Sequence, residues 1–173
     1  MAIEGLSEDD AREPPGVLYA IIANVALAGG LLMLATAIMV CVSVSMRWAT
    51  SHAIPGDFEM VQIAVALSGF AAFPYCQLKR SNIVVNTFTT WLPPAGQAWL
   101  DAFWDIVYAA VAAFLAWRLA VGASETIASG TTTMMAGIPI GWGIAVTAAL
   151  VALLALTALT TAVLRVGKGA RAA

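Results

Sequence analysis

Charge is what this chain has least of. Asp, Glu, Lys and Arg make up 10% of its 173 residues, against about a quarter in soluble globular domains. They are absent from Pro14–Met46, Met60–Leu78 and Thr126–Leu164, runs of 33, 19 and 39 residues. A helix crosses the roughly 30 Å hydrocarbon core of a bilayer with about 20 apolar residues, so a soluble globular fold is excluded. Four spans with their connections consume nearly the whole chain, which leaves no room for a nucleotide-binding or hydrolytic module. Histidine is almost missing as well. His52 stands alone, which rules out a bis-histidine haem within one chain. With only Cys41 and Cys76, no Cys/His set is available for zinc or an iron–sulfur cluster. There is no G-x-S-x-G or phosphate-binding loop. The span midpoints near Leu31, Leu67, Val111 and Ala152 carry no ionisable group, where an autonomous proton- or cation-coupled carrier would be expected to hold one. Composition points away from an enzyme or a self-sufficient pump, and it implies no cofactor and no nucleic-acid partner.

What is present reads as an all-α integral membrane protein with four transmembrane helices, a short in-plane amphipathic helix and both termini in the cytoplasm. Residues 1–16 form an N-terminal tail. Its acidic opening (Glu4, Glu8, Asp9, Asp10) lacks the basic start of a cleaved signal peptide, so the first helix is expected to remain as an anchor. Residues 17–165 form the membrane domain, with spans over about 17–46, 58–78, 97–126 and 140–164, and residues 166–173 form a C-terminal tail. Pro14, Pro15 and Gly16 suit a helix start; Asp57 is the expected N-cap of the second helix, and Pro74 should kink or loosen that helix's last turn. The third span is the weakest, since only Ile106–Trp117 is wholly uncharged. Cys41 and Cys76 fall near ends of antiparallel helices that lie on opposite membrane faces, so they are expected as two buried free thiols.

Between the second and third spans, Val84, Phe88, Trp91 and Leu92 share one helical face and Asn82, Asn86 and Thr89 the other. With Pro93 and Pro94 following, 82–92 reads as a helix lying in the interface plane. An extended loop is the alternative, because Ile83–Val85 and Thr87–Thr90 are rich in strand formers. Four spans put Arg12, Lys79, Arg80, Arg165, Lys168 and Arg171 on one side and only Arg47 and Arg118 on the other. That bias places the termini in the cytoplasm.

The polar residues worth following lie toward span ends. Arg47, Asp57 and Glu59 flank the first turn, where they either form an interfacial ion cluster or simply cap and anchor two helices. Asp101 and Asp105 are one helical turn apart and share a face. Such a pair can serve acid–base work, or can pair with basic neighbours such as Lys79 and Arg80. Trp48, Trp91, Trp99, Trp104, Trp117 and Trp142 sit mostly near expected span ends, as interfacial belts do; some of them are candidate partner contacts. Gly29 and Gly30 permit close helix packing.

Pro55-Gly56-Asp57-Phe58-Glu59, and then Pro74-Tyr75-Cys76-Gln77-Leu78-Lys79-Arg80-Ser81-Asn82-Ile83-Val84-Val85-Asn86-Thr87-Phe88-Thr89, resemble the small membrane subunit, of the DctQ type, of tripartite ATP-independent periplasmic (TRAP) transporters. Arg47, Trp117-Arg118 and Ile138-Pro139-Ile140-Gly141-Trp142 add to the resemblance, which runs from about Val17 to Arg165. It implies a heteromeric secondary transporter in a bacterial or archaeal inner membrane. A periplasmic solute-binding protein would capture an organic acid, and a large multi-span permease subunit would carry the substrate and sodium sites. The small subunit would pack against that permease as a scaffold. Asn82 matches a position that commonly carries His or Asn in the family, whereas Asn86 departs from a common Asp and loses a charge. Two other readings of a four-span scaffold stay open. One is the small subunit of a tripartite tricarboxylate transporter, and the other is the membrane anchor of a redox or hydrolytic complex.

Overall fold

The computed structural model describes residues 16–52, 54–79 and 94–172. The expected in-plane helix, with Arg80, Asn82, Asn86 and Trp91, lies outside them. Four helices account for nearly all of the described chain: α1 Gly16–Thr50, α2 Asp57–Leu78, α3 Pro94–Ala128 and α4 Ile140–Ala172. Each contains a stretch long and apolar enough to cross a membrane. At 1.5 Å per residue α2 is about 33 Å long, close to the hydrocarbon thickness. The other three reach about 50 Å and must tilt or project beyond the core. The expected spans sit within these helices, but α1 runs on through Arg47 and Trp48 to Thr50, and α4 continues past Leu164 to Ala172. Pro74 lies buried inside α2, which nevertheless stays helical to Leu78.

The helices form a row. Among the described residues α1 packs against α2, α2 against α4 and α4 against α3, while α1 approaches neither α3 nor α4 closely. Particular contacts give the directions. Ser43 of α1 meets Asp57 of α2 at one end, and the Lys79 ammonium lies 5.2 Å from the Tyr19 ring at the other, so α1 and α2 are antiparallel. The spatial order is α1, α2, α4, α3. The start of α1 and the far end of α4 fall on one side, here the termini side. The α1–α2 turn and the α3–α4 loop fall on the opposite, turn side.

Small residues set this packing. In lipid, apolar side chains gain little by meeting one another, so helices associate where backbones can come close. The residues of α1 buried against its neighbour are Ile22, Gly29, Thr36 and Ser43, one in every seven. That period is the seam of a left-handed helix crossing. A Cβ on Gly29 would stand 2.7 Å from Cβ of Ala71 and 3.3 Å from the Ser68 carbonyl oxygen, whereas one on Gly30 would meet nothing. Of the adjacent pair, only Gly29 makes the close approach. Between α3 and α4 the buried positions are largely alanine, with Ala112 against Val151 and Leu154 at the centre and Phe70 of α2 packed onto them. Buried Thr36 and Thr157 donate their hydroxyls to carbonyls four residues back, at 2.7 Å each, which leaves neither exposed to an apolar surrounding.

Cys41 and Cys76 are both free, but neither is buried as expected: Cys41 is exposed and Cys76 half-buried. Cys41 lies off the Ile22–Ser43 seam, on the part of α1 that none of the other described helices covers.

Gly29→Leu should destabilise the protein in detergent by about 1–3 kcal/mol through overpacking against Ala71. Gly30→Leu should stay within about 0.5 kcal/mol. Denaturant titration of the two purified variants checks this, and equal losses would remove Gly29 from its place in the seam.

Candidate anchoring sites at the two ends of the helix row

On the turn side, Gly56 lets the chain enter α2. Its φ of 75° is left-handed, and an added Cβ would lie 2.5 Å from Cβ of Ala136. Only glycine fits both demands. The expected N-cap is thereby corrected: Gly56 holds the cap position and Asp57 is the first helical residue, because the α3–α4 loop presses on position 56. The Asp57 carboxylate accepts from the Ser43 hydroxyl at 2.5 Å and from the Phe58 N–H at 2.7 Å. The Arg47 guanidinium approaches it to 3.8 Å with 63% of the side chain exposed, a solvent-screened pairing that adds little. Asp57 therefore ties α1 to the start of α2 chiefly through Ser43.

Glu59 points elsewhere. Its two carboxylate oxygens accept from the backbone N–H groups of Met135 and Ala136 at 2.9 and 2.8 Å. Two successive amides cradling one carboxylate make a charge-assisted, bidentate contact. The loop they belong to is a short hairpin-like excursion. Thr132 bridges Pro139, the Thr133 N–H donates to the Ile138 carbonyl at 2.9 Å, and Gly130 and Gly137 take positive φ. At its tip Met134 and Met135 are exposed, as are Trp48, Phe58 and Trp142 near the same side. Of the expected cluster, Arg47 and Asp57 come together while Glu59 is engaged by the loop.

Toward the termini side, Gln77 is buried where three helices converge. Its amide nitrogen donates to Oδ1 of Asp105 on α3 at 3.1 Å and to the Thr161 hydroxyl on α4 at 3.4 Å. The Thr161 hydroxyl in turn donates to the Ala158 carbonyl at 2.8 Å. Asp105 thus faces into the helix row, with Asp101 one turn nearer the end of α3. Gln77 was not singled out among the candidate residues. Its signal was available, since it continues the face of Ala64, Ser68, Ala71 and Pro74 as the one polar side chain there too long to bond its own helix's carbonyls. Lys79 stacks on Tyr19 of α1. Arg118 is exposed on α3 with its guanidinium 5.8 Å from the centre of the neighbouring Trp117 ring.

A comparison with protein families matches residues 36–167 to the family described as tripartite ATP-independent periplasmic transporters, DctQ component. The chain belongs to the DctQ family. No curated protein and no solved structure matches it. The DctQ match begins midway along α1 and ends in α4, so it takes in both anchoring sites and Arg118. DctQ proteins are transporter components, and with four membrane-crossing helices this one is a multi-pass membrane protein.

Removing the Glu59 carboxylate should free the loop it holds. The charged carboxylate holds both amides, so Glu59→Ala should accelerate amide exchange at Met135 and Ala136 by about tenfold or more. Hydrogen–deuterium exchange with residue-level fragmentation reads this, and unchanged protection would show that the loop holds itself.

Proposed function

We propose that this chain is the small scaffold subunit of a sodium-gradient-driven TRAP transporter that imports organic acids delivered by a periplasmic solute-binding protein. Its partners are a large multi-span permease subunit, that binding protein and membrane lipid. It sits in a bacterial or archaeal inner membrane with both tails in the cytoplasm, so the turn side is periplasmic and the termini side cytoplasmic. The six-to-two bias of basic residues supports that orientation. The family match over residues 36–167 carries the transporter reading.

The scaffold role is supported by where the acids go. Asp57 is committed to Ser43, Glu59 to the Met135–Ala136 backbone and Asp105 to Gln77. Each ties one helix or loop to another, and all three sit toward the ends of the row. Alternating access is largely the movement of one rigid element against another around the site. A moving carrier needs a stationary neighbour, and a tilted row of long helices offers a broad wall that is costly to drag through the bilayer. The surface is fixed at its ends by the hydrogen bonds just described, and the 82–92 segment would brace it in the cytoplasmic interface.

Replacing Asp101 and Asp105 together by Asn should therefore leave sodium dependence and sodium stoichiometry unchanged in the reconstituted complex. Asn retains an oxygen that can accept from Gln77. Proteoliposome uptake measured against sodium concentration tests this, and a changed stoichiometry would sink the scaffold assignment.

A further inference from the structure

The outer face of α3 carries a charge at a depth where none of the described side chains answers it. Twelve uncharged residues, Ile106–Trp117, separate Asp105 from Arg118. They span about 18 Å, well short of the hydrocarbon core of about 30 Å, so the two charges cannot both lie outside it. Asp105 is placed by its bond to Gln77 one residue from the end of α2. Arg118 is 13 residues along α3 from Asp105, or about 20 Å, which leaves it about 10 Å beneath the level of Asp57. The opposite end agrees. Ile127 packs on Gly141 at the start of α4, and Arg118 lies nine residues below Ile127, about 13 Å.

Its direction matters as much as its depth. Helical side chains lean toward the N-terminus of their own helix. For α3 that is the termini side, so Arg118 leans deeper into the core and away from the nearer headgroups. Its guanidinium rests against Trp117, one residue further in. Reaching a lipid phosphate on the turn side would require the side chain to fold back against this lean. The same face is large and aromatic. Trp99, Phe103, Phe114 and Trp117 are each more than half exposed. Their spacing of four, eleven and three places them on one stripe, off the Ala102, Ala109, Ala112 and Ala123 face that is buried.

We infer that the Trp99–Trp117 stripe of α3 is covered by a membrane-spanning helix of the large permease subunit, and that this helix presents an Asp or Glu carboxylate to Arg118. A desolvated arginine in an apolar, aromatic surround is costly alone, and its planar fork matches a carboxylate in bidentate geometry. The charge fixes the depth at which the two subunits meet, and the aromatic stripe supplies the contact area. This rests on the TRAP reading proposed above and adds which face of the chain meets the permease.

The test uses the two-subunit complex, purified through a tag on the large subunit. With Arg118 intact, a photo-reactive benzoylphenylalanine at Phe114 should cross-link to the large subunit, and the adduct should map to a spanning helix that carries an Asp or Glu. Arg118→Glu should lower the recovered small subunit by roughly tenfold or more, through like-charge repulsion and an unpaired buried charge, while Arg118→Lys, which keeps the charge but loses the planar fork, should fall between that variant and the wild type. Cross-linking at Phe114 to lipid alone, or recovery of the Arg118→Glu variant at the wild-type level, would overturn the proposal. The cross-linking arm holds even if Arg118→Glu fails to insert. If the wild-type chain recovers no large subunit at all, the TRAP reading itself falls and this inference falls with it. A cross-link to the large subunit from Ile38 on the free face of α1, with none from Phe114, would overturn only the choice of face.

Discussion

Inside a bilayer, apolar side chains gain almost nothing by leaving lipid for one another. Four helices of this composition therefore meet only where small residues let their backbones approach, or where a polar side chain must find a protein partner. Both devices are visible, and they are spatially divided. Gly29 against Ala71 and the alanine-rich α3–α4 interface supply close approach along the middle of the row. Hydrogen bonds from Gln77, and those to Asp57 and Glu59, fix its two ends. The apolar middle can pack but has little to specify register. The polar ends specify register, because each bond is satisfied at one alignment of its two elements.

The row follows from the same constraint. Only four of the 35 residues of α1 are buried against its neighbour, so α1 is a flank and leaves most of its circumference free. A square bundle would hide that surface inside, whereas a row leaves it for lipid or for another subunit. Together with the family's place in a tripartite transporter, this shape makes the chain a broad apolar surface, stiffened at its ends. Three of its carboxylates, Asp57, Glu59 and Asp105, each tie one element to another.

The four spans were legible because their evidence is local: an uninterrupted apolar run can be read one residue at a time. Features that depend on distant residues were not. The cap at Gly56 is dictated by Ala136, and Asp57 looked the better cap on intrinsic preference alone. Glu59 finds its partners 76 and 77 residues away, which no spacing rule could anticipate, so it was grouped with Arg47 and Asp57. Asp101 and Asp105 were recognised as sharing a face. That Asp105 faces a buried glutamine emerges only when α2, α3 and α4 converge. The tryptophans read as sitting mostly near span ends include Trp117, which lies 11 residues from the end of α3, on the outward stripe. The helix ends ran past expectation at Thr50 and Ala172, where no proline interrupts either segment.

The central claim is that this row stays rigid while its transporter works. Spin labels at Leu34 on α1 and Leu115 on α3, both exposed and at opposite flanks of the row, report its width directly. Pulsed dipolar spectroscopy would be recorded on the assembled complex in lipid, first without sodium and then with sodium and solute-loaded binding protein. The account predicts a single distance distribution that is the same in both states. A second population, or a displacement of the mean beyond the width of the distribution, would show that the row itself moves and would contradict the account.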